Sequence, residues 1–341
     1  FRLRMDFMDH KKCTFITIIL LAFFVVFLFL KAINTPKIEF TSCISIGNAL
    51  EAPKDLSWDV EMNEEYFDKI KEAGFDCVRL PVRFSDYAKD NKDYLLDESF
   101  MKKIDYYIDY ALSKKLVIIL DFHHFIEIMK FPNEYKECYL KIWDQVAERY
   151  KDYPQELMFE LLNEPNDNLS GELWNQFIDE GVNIIRKSNP KRTIIVGPDN
   201  YYSVYSLEKL KIPQDKNIVV SFHYYEPNEV TFQGSVNHKG FENLKDNQWT
   251  GTNLEIQYLK SRFEIAKKYS EDHKVRIFLG EFGVNKNAPE TTRINWTQAV
   301  RKEAEEYGFS WGYWELCSEF GIYDVKNDLW NEKILDSLLE N

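Results

Sequence analysis

The run Phe159-Glu160-Leu161-Leu162-Asn163-Glu164-Pro165 is an apolar stretch of strand length that stops on a glutamate. Far down the chain, Leu279-Gly280-Glu281-Phe282-Gly283 has the same character. A carboxylate at the tip of a buried strand costs desolvation energy unless a partner or a reaction uses it. Two of them in matching positions imply strands whose ends meet at one place. That requirement selects among folds.

Outward from these two runs, short apolar segments alternate with helical patterns. Strands are predicted at 41–46, 76–80, 116–121, 157–161, 193–196, 218–222, 275–279 and 309–314. Several are nearly continuous in β-branched or aliphatic residues, such as Val117-Ile118-Ile119-Leu120 and Ile218-Val219-Val220. Runs of this kind suit a parallel sheet buried on both faces. Amphipathic helices are predicted at 63–73, 98–114, 134–151, 171–188, 254–269, 293–307 and 328–339. In 98–114, Phe100, Ile104, Tyr107, Ile108 and Ala111 form one apolar stripe between acids and lysines. The connection after the fifth strand, 197–215, holds little helix, and 225–252 reads as a long polar, aromatic loop. The pattern predicts an α/β fold, a (β/α)8 TIM barrel. One such domain fills residues 41–341.

The unusual polar residues then fall on one rim. Asn48 and Glu51 follow strand one, and Arg79 lies in strand two. His123 and His124 follow strand three; Asn163 and Glu164 end strand four. His223 and Tyr225 end strand six, Glu281 ends strand seven and Trp314 ends strand eight. The C-terminal rim is where barrels of this type build their sites. Residues serving unrelated structural purposes would be scattered over both ends.

Two carboxyl groups at one rim point to glycoside hydrolysis, in which one acts as acid and the other as nucleophile or base. Glu164 suits the acid: desolvation and a neighbouring carboxylate would raise its pKa. Glu281 suits the ionised partner, with Arg79 and Tyr225 as the cation and phenol that hold it so. Each residue also has a plainer reading. A single glutamate at a strand end is usually an ion-pair partner, Arg79 alone would be a structural one, and Trp314 alone could be core. His123 and His124 are adjacent, and in extended chain adjacent side chains diverge. One is therefore expected to line the site while the other packs behind it, and no third histidine lies at metal-ligand spacing.

With these motifs in view the chain resembles glycoside hydrolase family 5, the cellulase and mannanase family of (β/α)8 barrels. The resemblance rests on Ile46-Gly47-Asn48-Ala49-Leu50-Glu51-Ala52-Pro53, Val78-Arg79-Leu80-Pro81, Phe122-His123-His124, Leu162-Asn163-Glu164-Pro165, His223-Tyr224-Tyr225, Gly280-Glu281-Phe282-Gly283 and Trp311-Gly312-Tyr313-Trp314-Glu315. It implies a retaining endo-β-1,4-glucanase with Glu164 as acid/base and Glu281 as nucleophile. Asn163 would contact the 2-hydroxyl of the reacting sugar, and His223 would lie beside the acid. His123, His124 and Trp314 would line the subsite of that sugar, and Asn48 and Glu51 would meet sugars further along. No metal or organic cofactor is implied. Where relatives commonly carry Thr-His-Gln-Gly and a following tryptophan, this chain has Thr231-Phe232-Gln233-Gly234 and Asn237. A β-mannanase on the same scaffold and a non-catalytic, membrane-tethered carbohydrate-binding protein are the alternative readings.

The flanks and composition bound the setting. Arg2, Arg4, Lys11 and Lys12 precede an uncharged apolar run from Thr14 to Leu30, which Lys31 ends. Residues 1–40 are read as a signal peptide or signal anchor with a tether. The domain is therefore expected to be secreted or held at the outer face of a membrane through 14–30, and to act as a monomer on a polysaccharide. Net charge is −13, with the acids spread along the chain, which excludes the basic footprint of a nucleic-acid binder. Eight Trp and twenty Tyr fit a large core as well as a sugar-binding surface. Of five cysteines none has metal-ligand spacing. Cys43 and Cys317, near the first and last strands of a closed barrel, are candidate neighbours for a disulfide that export would permit.

Overall fold

The computed structural model describes residues 40–58 and 60–339. The predicted signal or anchor segment lies outside the described residues. Eight parallel strands close into a barrel in sequence order, with β1 hydrogen-bonded to β8. They are β1 Ser42–Ser45, β2 Cys77–Val82, β3 Val117–Phe122, β4 Leu157–Glu160, β5 Ile194–Val196, β6 Ile218–His223, β7 Arg276–Phe282 and β8 Ser310–Tyr313. All eight coincide with the predicted runs to within a few residues. Each is buried along almost its whole length, as expected of strands covered on both faces.

Helices α1 Glu65–Ala73, α2 Glu98–Ser113, α3 Pro132–Arg149, α4 Gly171–Arg186, α5 Asn253–His273, α6 Glu290–Glu306 and α7 Glu332–Leu339 cover the barrel. Sequence chemistry sets their ends. Asp97 caps α2 by accepting from the Ser99 and Phe100 N–H groups, and Thr252 and Glu255 form a reciprocal capping box on α5. Gly74 ends α1 in the left-handed conformation, its φ being 109°. Between β5 and β6 the chain makes only the turn Asp199–Tyr202 and a 3-10 segment, Val204–Lys209, the irregular connection that was expected.

Two expectations need correction. The helix predicted at 328–339 begins only at Glu332, because a small hairpin, β9 Tyr323–Asp324 with β10 Leu329–Trp330, occupies its start. Asp324 accepts from the Lys326 and Asn327 N–H groups and so closes that hairpin. Cys43 and Cys317 are not bonded: the described cysteines are free thiols, and Cys43 sits in register with Cys77 on β2. Among the described residues no helix is long and apolar enough to cross a membrane.

Candidate active site

Arg79 is the hub. It projects from β2 with no exposed surface and spends its guanidinium on four side chains. Nε and Nη2 bind the Glu160 carboxylate at 2.8 and 3.0 Å. Nη1 donates to Glu281 Oε1 at 2.6 Å and Nη2 to Asn163 Oδ1 at 2.7 Å. Asp121 Oδ2 lies 3.0 Å from Nη2. A buried cation is tolerated only when it is paired and hydrogen-bonded, and here every arm of the fork is engaged.

Glu281 reaches this hub because β7 is irregular. Phe222 pairs with Leu279, but His223 pairs with Glu281. One extra residue, Gly280, is therefore accommodated on β7, a bulge of the kind that re-aims a side chain at a site. The second glycine of the motif has its own reason. A β-carbon at Gly283 would lie 2.2 Å from the Trp314 carbonyl oxygen, so only glycine lets the end of β8 approach.

Around the two glutamates the partners differ. Glu281 accepts from Arg79 and, through Oε2, from the Tyr225 hydroxyl at 2.9 Å. Glu164, a quarter exposed, has His223 Nδ1 2.7 Å from its Oε1. His223 Nδ1 also lies 3.6 Å from Glu281 Oε2. Oxygen atoms of Glu164 and Glu281 and a ring nitrogen of His223 all fall within 4.8 Å of one another. That trio is the one group of side chains among the described residues spaced to hold a metal ion.

One guanidinium cannot neutralise four neighbouring carboxyl groups, so part of the cluster holds protons near neutrality. Burial raises the Glu164 pKa to about 7, with Arg79 pulling it down and Glu160 pushing it up. Burial, with Glu164 adding to it, also raises Glu281, against the pull of Arg79 and of the Tyr225 hydroxyl toward its ionised form. Burial lowers His223 to about 4, so the imidazole between the two glutamates is neutral at pH 7.

The remaining predicted residues occupy the same rim. The His123 ring lies 5.6 Å from the Trp314 ring and nearly parallel to it. His124 contacts His123 edge to face at 4.3 Å. His123 is buried and His124 only half-buried, and His124 has φ 55°, outside the extended conformation on which the alternation of neighbours rests. Asn48 is half-buried on the loop after β1. Glu51 is fully enclosed, and its carboxylate accepts from the Asn48 and Ala49 N–H groups. Burial raises its pKa to about 8. Its place is beneath Asn48, holding the loop, so the expectation that Glu51 itself meets sugar is corrected.

Sequence reasoning gave no role to Asp121, Glu160, Tyr202 and Trp58. Glu160 and Asp121 hold Arg79. Tyr202 donates to the Leu162 carbonyl at 2.8 Å and rests against the His223 ring. Trp58 meets His124 edge to face at 5.3 Å. At the divergent position, Phe232 packs 5.0 Å from the Tyr225 ring and stacks on His238 at 4.2 Å, while Asn237 is exposed.

Residues 44–320 match the family model described as cellulase, glycosyl hydrolase family 5. The chain is 57% identical to the clostridial cellulose synthase subunit Z of Clostridioides difficile, with a TM-score of 0.88 over 89% of this chain and 100% of that one. It is 41% identical to Thermotoga maritima Cel5A, whose structure holds cellobiose, with a TM-score of 0.86 over 88% and 97% of the two chains. It is also 33% identical to endoglucanase H of Acetivibrio thermocellus across 86% of this chain, spanning only 32% of that longer protein. On the strength of the barrel, the paired glutamates and these matches, the chain belongs to glycosyl hydrolase family 5, the cellulase family.

Proposed function

We propose that this chain is a retaining endo-β-1,4-glucanase, acting on cellulose-like or mixed-linkage glucan. The observation that carries the reading is the unequal setting of two carboxyl groups within 4.8 Å of each other. A spacing of about 5–5.5 Å suits a covalent glycosyl-enzyme intermediate, whereas inverting enzymes leave about 6.5–9.5 Å for a water. In the first step a Glu281 oxygen attacks the anomeric carbon and the glycosidic bond breaks. Glu164 gives its proton to the departing oxygen. In the second step Glu164 takes a proton from water, the water oxygen bonds to the anomeric carbon, and the bond to Glu281 breaks. A group near pKa 7 can serve both as the acid and as the base.

Arg79 and Tyr225 hold Glu281 ionised and aimed. Asn163 meets the 2-hydroxyl of the reacting sugar, and His123, His124 and Trp314 form the wall of its subsite. Asn48, braced by Glu51, meets the next sugar on the non-reducing side. The N-terminal basic and apolar segment supports export, with residues 14–30 either removed or retained as an anchor.

Glu281→Ala is expected to abolish hydrolysis while the fold persists, with azide restoring turnover and yielding the α-glycosyl azide. Full activity in that variant would remove Glu281 from the nucleophile role. Reducing-sugar release from carboxymethylcellulose and β-glucan, but not from mannan or xylan, is the expected substrate pattern; silence on all four would favour a binding protein.

A further inference from the structure

Asp121 is a buried carboxylate within β3, and the mechanism above does not use it. Its Oδ2 lies 2.6 Å from His123 Nδ1 and 3.0 Å from Arg79 Nη2. His123 Nε2 lies 3.2 Å from Asn163 Nδ2, and Asn163 Oδ1 accepts from Arg79 Nη2 at 2.7 Å. Arg79, Asp121, His123 and Asn163 thus close a ring of contacts.

In a closed ring each choice dictates the next. Arg79 can only donate, so Asn163 must turn its carbonyl oxygen toward it. The amide nitrogen then faces His123, which has to accept through Nε2. An imidazole that accepts at Nε2 carries its proton on Nδ1, and Asp121 is the acceptor waiting there. One Asn163 N–H is spent on His123. The other has no place in the ring. Were the imidazole proton on Nε2 instead, two donors would meet head on and push the amide out of line.

We propose that Asp121 is a positioning residue for sugar recognition, fixing the His123 tautomer so that Asn163 presents an N–H to the 2-hydroxyl of the sugar held between Glu164 and Glu281. The inference rests on the glycosidase reading. It makes Asp121 matter most for substrates that carry that hydroxyl in reach.

The test compares an aryl β-cellobioside with its analogue lacking the 2-hydroxyl on the reacting sugar, in wild type, Asp121→Leu and Asp121→Asn. Intrinsic reactivity cancels in the ratio of ratios, which isolates the coupling. Asp121→Leu is expected to lose kcat/KM on the parent glycoside by at least about tenfold more than on the analogue, the scale of a hydrogen bond involving a charged group. Asp121→Asn, which keeps an acceptor oxygen, should recover part of that difference. Equal losses on both glycosides would overturn the role. A second measurement needs no variant: 15N spectra of the histidine-labelled wild type should show His123 protonated at Nδ1 and not at Nε2, and the opposite tautomer overturns the proposal. A wild-type protein that cleaves neither glycoside would sink the hydrolase reading and this inference with it. Cleavage with equal losses sinks Asp121 alone.

Discussion

Arg79 in β2 and Arg192 just before β5 are both enclosed within the barrel, in contrasting settings. Arg192 is held mainly by neutral oxygens: the carbonyls of Leu157, Tyr150 and Tyr153 at 2.8, 2.8 and 3.0 Å, that of Pro154, and Asn189 Oδ1. Arg79 is held by three carboxylates and an amide. The electrostatic outcome is opposite. Burial and Arg186 lower the Arg192 pKa to about 10. Burial also works against the charge on Arg79, but Asp121, Glu160 and Glu281 more than reverse it. A cation set among carbonyl dipoles ties loops together without altering any neighbour's protonation. A cation shared among carboxylates decides which of them keep protons, and that is a catalytic property.

The largest expected effect separates the two arginines. Arg79→Lys keeps the charge but loses the fork that reaches Glu160, Asn163 and Glu281 together. Activity should fall by about 10²–10³, comparable to losing a preorganised electrostatic contact. Arg192→Met should leave kcat per folded molecule unchanged. Its cost is stability, since several buried carbonyls lose their donor at about 1–3 kcal/mol each. Thermal unfolding alongside active-site titration measures both quantities. A variant of Arg192 with normal stability and crippled turnover would break the comparison.

How much of this contrast could be read beforehand depends on what each feature needs. The strands were legible because a doubly covered parallel strand must be apolar throughout, as Val117–Leu120 is. Glu164 and Glu281 were legible because a carboxylate ending such a run is locally anomalous. Asp121 and Glu160 were equally anomalous, inside VIILDF and LMFE. Their meaning, however, lies in Arg79, 42 and 81 residues away, and nothing local pairs them. The His124 conformation was hidden for another reason: φ 55° in a histidine reflects how the rim is packed rather than any turn signal. Glu51 looked like a ligand because its enclosure depends on Asn48 and Ala49 folding back over it.

A smaller effect, in pH, sharpens the contrast further. Hydrolysis on this mechanism needs Glu164 protonated, and its pKa is raised to about 7. Activity should therefore decline as pH rises through about 7, the alkaline limb reporting loss of the acid. Arg79 favours ionised Glu164, so Arg79→Gln should move that limb to higher pH in its residual activity. Arg192→Met should leave the limb in place. Rates on a fluorogenic cellobioside between pH 5 and 9 would show both; a limb displaced by the Arg192 change would mean that charge is felt throughout the barrel.

Within the hub, Tyr225→Phe should cost less activity than Arg79→Lys, because it removes one contact and no charge. The Tyr225 hydroxyl donates to Glu281 Oε2 at 2.9 Å, and its ring is flanked by Phe232 at 5.0 Å and Phe320 at 6.0 Å. A phenylalanine ring keeps those contacts, so the unfolding temperature should hardly move. Losing the donor removes stabilisation of ionised Glu281, and its pKa rises further. The acid limb of the profile, which reports that ionisation, then shifts to higher pH. The alkaline limb, set by Glu164, stays where it is, and the bell narrows from one side. At the optimum, kcat/KM should drop by roughly 10-fold, the lower end for a hydrogen bond to a charged group. Arg79 still holds Oε1, which is why the loss stays well below that of Arg79→Lys. Should Tyr225→Phe prove as damaging as Arg79→Lys, the ionisation of Glu281 would depend on the phenol rather than the buried cation.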